Sequence, residues 1–89
     1  MKVIAIHALW CIACLKTVPN LKEVLKKYPY ELEELDYDMD MDKVEKYNVG
    51  TILPVFILED ETGTEVNRIK GEKSKKELEI FLESNQVKK

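Results

Sequence analysis

Two cysteines, Cys11 and Cys14, stand three positions apart in Cys11-Ile12-Ala13-Cys14, and they are the chain's only thiols. An apolar run, Val3 to Ile6, precedes them, and a helical periodicity begins at Cys14. Cys11 therefore falls at a helix N-terminus, where unsatisfied N–H groups and the positive end of the helix dipole favour thiolate over thiol. Cys14 sits about one turn further on, within reach of the first sulfur. A C-x-x-C pair beside a β-α-β pattern in a reducing compartment is a redox signature.

Two blander chemistries compete with it. A structural disulfide across so short a loop would stabilise by only about 2 kcal/mol, against ~3 for a fifteen-residue loop. It would also be poorly maintained in the cytosol. A metal site needs two further ligands beside two thiolates, and the single histidine, His7, precedes the motif on the strand. A cluster shared between two chains is the form of that reading left open. A low thiol pKa alone does little for rate: about sixteen-fold more thiolate at neutral pH is offset by about four- to six-fold lower nucleophilicity. Catalysis also needs a resolving thiol in place and a surface that presents the partner disulfide.

The elements that must position this pair are legible. Lys2 to His7 is expected as a strand covered on both faces. Cys14, Val18, Leu21, Leu25 and Tyr28 form one helical stripe, with Pro19 inside the helix as an expected kink and Pro29 as its stop. Tyr30 to Tyr37 reads as a second strand. Asp42 and Glu45 match a capping box that opens a short helix through Tyr47. Pro54 to Glu59, the turn Asp60-Glu61-Thr62-Gly63, and Thr64 to Lys70 read as a hairpin. Gly71 breaks the strand, and Ser74 with Glu77 caps a last helix buried through Leu78, Phe81 and Leu82. The order is β-α-β-α-β-β-α: a four-stranded mixed sheet with three helices, its first two strands parallel.

Other candidates carry weaker signals. Trp10, just before a helix-terminal cysteine, is expected to form an apolar rim for a partner. Met39 and Met41 flank the short helix and are expected to fill gaps. The acidic run from Glu31 to Asp42 contains no lysine; it reads as a solvated face that can favour a basic partner.

The chain has 89 residues, 45% hydrophobic and 35% charged, with 14 Lys+Arg against 17 Asp+Glu. That suits one domain, 1–89, and is too rich in core residues for disorder. A net charge of −3 argues against nucleic acid. No run reaches the ~18 apolar residues that span a bilayer, so no membrane partner is expected. Lys2 and the apolar run after it have the outline of a short signal peptide, but His7 and Trp10 sit badly in one. A buried strand running into a helix is preferred, and a cytoplasmic location is expected.

Trp10-Cys11-Ile12-Ala13-Cys14 after an apolar strand resembles the W-C-x-x-C active site of thioredoxins. Pro19 matches the proline in that family's active-site helix, and Asp36-Tyr37-Asp38 the end of its next strand. Lys46 to Val49 and Ile52-Leu53-Pro54 resemble the segment carrying its cis-proline, and Gly71 the glycine opposite the active site. The resemblance runs from Val3 to Ser84 and leaves a glutaredoxin-sized core. It implies a thioredoxin-like α/β fold and a thiol–disulfide oxidoreductase. Cys11 would be the nucleophile and Cys14 the resolving thiol, with no cofactor beyond the Cys11–Cys14 disulfide and no metal. Trp10, Leu53, Pro54 and Gly71 would form the substrate-binding surface, with Leu53–Pro54 cis against the sulfurs. The implied partners are protein disulfides and either a thioredoxin-type reductase or glutathione, the latter making a glutaredoxin-type activity the nearest alternative.

The chain also departs from the family pattern. Ala5 stands where thioredoxins carry a buried aspartate, and Glu34 where they carry a nearby lysine. Glu34 is thus a candidate proton acceptor for Cys14, set against the commoner fate of a solvated glutamate. His7 falls at a family aromatic position and is expected as a packed strand side chain. Ile12-Ala13 replaces the family's Gly-Pro pair, and the stretch from Val49 to Pro54 is one residue longer than usual.

Overall fold

The structure is a computed structural model and describes residues 1–50 and 52–83. Ser84, where the resemblance ends, and the rest of the 1–89 domain after it lie outside the described residues, as does Thr51. The elements are β1 (Lys2–His7), α1 (Ile12–Leu25), β2 (Glu31–Asp36), α2 (Met41–Glu45), β3 (Val55–Glu59), β4 (Glu65–Lys70) and α3 (Lys75–Glu83). One sheet has the order β2-β1-β3-β4. β1 pairs parallel with β2, Ala5 opposite Glu34, and antiparallel with β3, Ala5 opposite Phe56. β3 and β4 are antiparallel. This is the expected mixed sheet with three helices.

The core follows from the apolar runs. Val3 to Ile6 and Val55 to Leu58 are all fully buried, so the two central strands are covered on both faces. Leu21, Val24 and Leu25 of α1 and Leu78, Phe81 and Leu82 of α3 close over them. Thr17, the one buried polar residue among those described, accepts a hydrogen bond from the Lys73 N–H at 3.4 Å, so its hydroxyl is satisfied. The last helix is capped as its sequence predicts. The Glu77 N–H donates to Ser74 Oγ at 3.2 Å, and the Ser74 N–H donates to Glu77 Oε1 at 3.0 Å.

Three local expectations are corrected. The helix α1 ends at Leu25, so Tyr28 lies in the turn beyond it, its N–H on the Leu25 carbonyl, and stacks on Tyr30. The second helix opens at Met41 with Asp40 as its N-cap, and the Asp42/Glu45 capping box does not form. Asp40 makes no side-chain cap either: its Oδ2 accepts from the Asp36 N–H at 2.9 Å and holds the preceding turn. Met39 and Met41 are 84% and 58% exposed, and fill no gap in the core.

Candidate active site

The first strand ends at His7, and three residues carry the chain to Cys11, the N-cap of α1. Extended backbone at Cys11 turns its sulfur back over the helix end, where it accepts the Cys14 N–H at 3.2 Å. The sulfur thus takes the place of the usual capping oxygen. Pro19 lies mid-helix and α1 continues through it. Cys11 is half-buried and Cys14 is only 2% exposed; both are free thiols in this structure. Burial, and then the hydrogen bond to the Cys11 sulfur, push the Cys14 thiol up to about 12 from its ordinary 9.0. The two thiols are therefore inequivalent: one accessible at a helix end, the other covered and protonated.

A second loop closes over the pair. The Leu53–Pro54 peptide bond is cis, as the resemblance implies, and the Leu53 carbonyl accepts from Cys11 Sγ at 3.8 Å. Pro54 is buried, and its carbonyl accepts the Gly71 N–H at 2.8 Å. Gly71 adopts φ +84°, the left-handed region that favours glycine, and a Cβ there would stand 3.9 Å from the Ile52 side chain. Cys11, Cys14, Leu53, Pro54 and Gly71 are thus joined by the fold at one end of the sheet. Around them Leu9, Trp10, Ile12 and Ile52 are 80%, 61%, 70% and 56% exposed, an apolar rim beside the accessible sulfur.

Trp10 is fixed by two residues of the Asp36-Tyr37-Asp38 segment, which the family resemblance places at the end of the second strand. Its indole Nε1–H donates to Asp38 Oδ2 at 2.6 Å, and its ring meets Tyr37 edge-on at 6.2 Å. Asp36 Oδ1 in turn accepts the N–H groups of Asp38 and Met39 at 2.9 and 3.0 Å. The acidic run is largely exposed, as a solvated face is, and within it Asp36 and Asp40 also build a turn. The signal that could have found it is the Asp-x-Asp-x-Asp spacing right after a strand, which suits side chains bonding their own backbone.

The Glu34 carboxylate is engaged by a histidine and a lysine. Its Oε1 pairs with His7 Nε2 at 3.1 Å and its Oε2 with Lys22 Nζ at 3.2 Å. All three border a cavity of about 160 Å³ whose wall includes Cys14. Among the described residues no group of three or more His, Cys, Asp or Glu could hold a metal ion.

Comparison with known proteins decides the family, because the thioredoxin family model matches residues 1–84. The chain belongs to the thioredoxin family. Its fold is similar to that of reduced Schistosoma mansoni thioredoxin, with TM-score 0.83 and 28% identity over 93% of this chain and 76% of that one. Fasciola hepatica thioredoxin gives TM-score 0.77 and 27% identity over 98% of this chain and 78% of that one. Thioredoxin 1 of Thermosipho africanus gives TM-score 0.85 over 98% and 96%, and at 21% identity that likeness speaks for the fold. The curated proteins hold no match. A thioredoxin domain with a W-C-x-x-C pair at its helix end is a protein-disulfide oxidoreductase. No helix among the described residues is long and apolar enough to cross a membrane.

Proposed function

We propose that this thioredoxin reduces disulfides of partner proteins, with Cys11 as nucleophile and Cys14 as resolving thiol. The supporting observation is the inequivalence of the two sulfurs. Cys11 is the accessible helix cap beneath Leu53, and Cys14 is buried behind it with its proton held.

The Cys11 thiolate attacks one sulfur of the partner disulfide, that S–S bond breaks, and the other partner sulfur leaves as thiolate. Cys14 then gives up its proton and attacks Cys11 Sγ in the mixed disulfide. The bond from Cys11 to the partner breaks, the second partner thiolate leaves, and Cys11–Cys14 closes as a disulfide. Two electrons have passed to the partner. Leu53, with Pro54 and Gly71 setting its backbone, offers its main chain to an extended partner segment, as at a sheet edge. Trp10, pinned by Asp38, supplies apolar contact area at little entropic cost.

The oxidised pair is reset by a thioredoxin-type reductase or by glutathione, and the chain acts in the cytoplasm, where reductants of both kinds are kept. Turnover of insulin, a protein disulfide, is the test. Coupling to a thioredoxin reductase sustains it on this reading; turnover only with glutathione reassigns the protein to glutaredoxin-type chemistry. Full activity in Cys11→Ser overturns the mechanism.

A further inference from the structure

The reaction just set out leaves one proton without a destination. Cys14 must lose its hydrogen before it can attack, yet it is 2% exposed and its ordinary acidity is suppressed by burial. The strand beside it offers no acid or base at Ala5, which is fully buried and apolar. The titratable groups that share the wall of one cavity with Cys14 are His7 from β1, Glu34 from β2 and Lys22 from α1 itself, with Val18 and Pro19 among the apolar lining. Cys11, on its other side, is the atom under attack.

We propose that His7, oriented by Glu34 and Lys22, takes the Cys14 proton in the resolving step. The proposal rests on the dithiol mechanism above and assigns its missing base. Three elements converge to build the group, and its geometry is directional. His7 Nε2 lies 3.1 Å from Glu34 Oε1, and since an ionised carboxylate only accepts, that pairing favours the tautomer with the proton on Nε2 and, in the neutral ring, the lone pair on Nδ1. Lys22 Nζ, 3.2 Å from Glu34 Oε2, holds the carboxylate in place as that acceptor. The cavity of about 160 Å³ has polar groups on its wall and ample room for a water to carry the proton from sulfur to ring.

The step balances. The Cys14 S–H bond breaks, and its proton passes through water to His7 Nδ1. The sulfur lone pair forms the new bond to Cys11, and the pair of the breaking Cys11–partner bond departs with the partner thiolate. The imidazolium, paired with Glu34, then loses its proton to solvent at the exposed side of Glu34 and Lys22. Glu34 is accordingly a positioning residue, and His7 the base, acting through one water.

The test separates the two chemical steps. The reduced full chain reacts once with insulin and is quenched in acid. Formation and decay of the Cys11–insulin mixed disulfide are then read by mass across neutral and mildly acidic pH. His7→Gln and Glu34→Gln are expected to slow decay on the order of a hundred-fold while formation stays near that of the parent. Lys22→Gln should give a smaller loss in the same step. Added imidazole should restore decay in His7→Ala, and the pH dependence of decay should flatten in His7→Gln. Decay and pH profile unchanged in His7→Gln overturn the proposal. So does an equal slowing of both steps without imidazole rescue, the mark of a merely structural role. An insulin adduct that still forms in Cys11→Ser would instead overturn the underlying mechanism.

Discussion

At the residue scale the site is a division of labour between two chemically identical side chains. The backbone at the start of α1 makes Cys11 a cap and Cys14 a core residue, and burial does the rest. A consequence for stability follows with a definite sign. The folded chain holds the Cys14 proton more tightly than the unfolded chain does. Between pH 9 and 12 the unfolded state thus binds fewer protons, and stability falls as pH rises. Tyr28, pushed up to about 12 by burial and by Glu83, adds to the same alkaline loss. Urea midpoints measured at neutral pH and near the upper end of that window should fall in the parent and fall less in Cys14→Ala. Equal losses in both proteins would mean that Cys14 does not carry its share. A second prediction concerns Trp10. Removing its hydrogen-bond acceptor in Asp38→Ala frees the indole, so KM for insulin should rise several-fold while kcat changes little; a loss confined to kcat would remove Trp10 from the docking surface.

At the scale of elements, the clearest signals are those in which one local rule acts alone. The buried runs at Val3–Ile6 and Val55–Leu58 became the central strands, and Ser74 with Glu77 closed the capping box at α3. Ser74→Ala is expected to cost about 1 kcal/mol in denaturant unfolding, and an unchanged midpoint would deny the cap its role. The errors arise where one side chain had two possible partners. Asp40 could cap α2 or tie the turn at Asp36, and the turn won, so the helix opened at Met41 and its flanking methionines were left in solvent. Tyr28 continues the helical spacing, yet Pro29 so near forced α1 to end three residues earlier. The pairings of Trp10 with Asp38, and of His7 with Glu34, span 28 and 27 residues and depend on the β1–β2 register. No local pattern holds that information. The cysteine pair was legible because its chemistry needs only short spacing; Leu53, Pro54 and Gly71 were legible only through the family resemblance, and the side-chain partners of Trp10 and His7 were not, because they meet only in the fold.

On the scale of the whole molecule, a chain of 89 residues has little stability to spare, roughly 4–13 kcal/mol. Its core is built on two fully buried central strands, with Phe56 of β3 fully buried opposite Ala5. Phe56→Ala should cost about 3–5 kcal/mol in unfolding experiments and bring the protein near the edge of folding. A cost below about 1 kcal/mol would mean that the centre is not packed as described. The same economy explains the placement of the site. The sheet end where β1, α1 and the segment before β3 meet is the place where a capping sulfur, a buried sulfur and the Leu53 carbonyl come together without disturbing that core. The most direct measurement of this account is a trapping experiment. Reduced Cys14→Ser protein mixed with insulin should accumulate a one-to-one mixed disulfide that peptide mapping places at Cys11. Absence of that adduct, or an equal yield of adduct from Cys11→Ser with Cys14 intact, would contradict the assignment of Cys11 as the nucleophile.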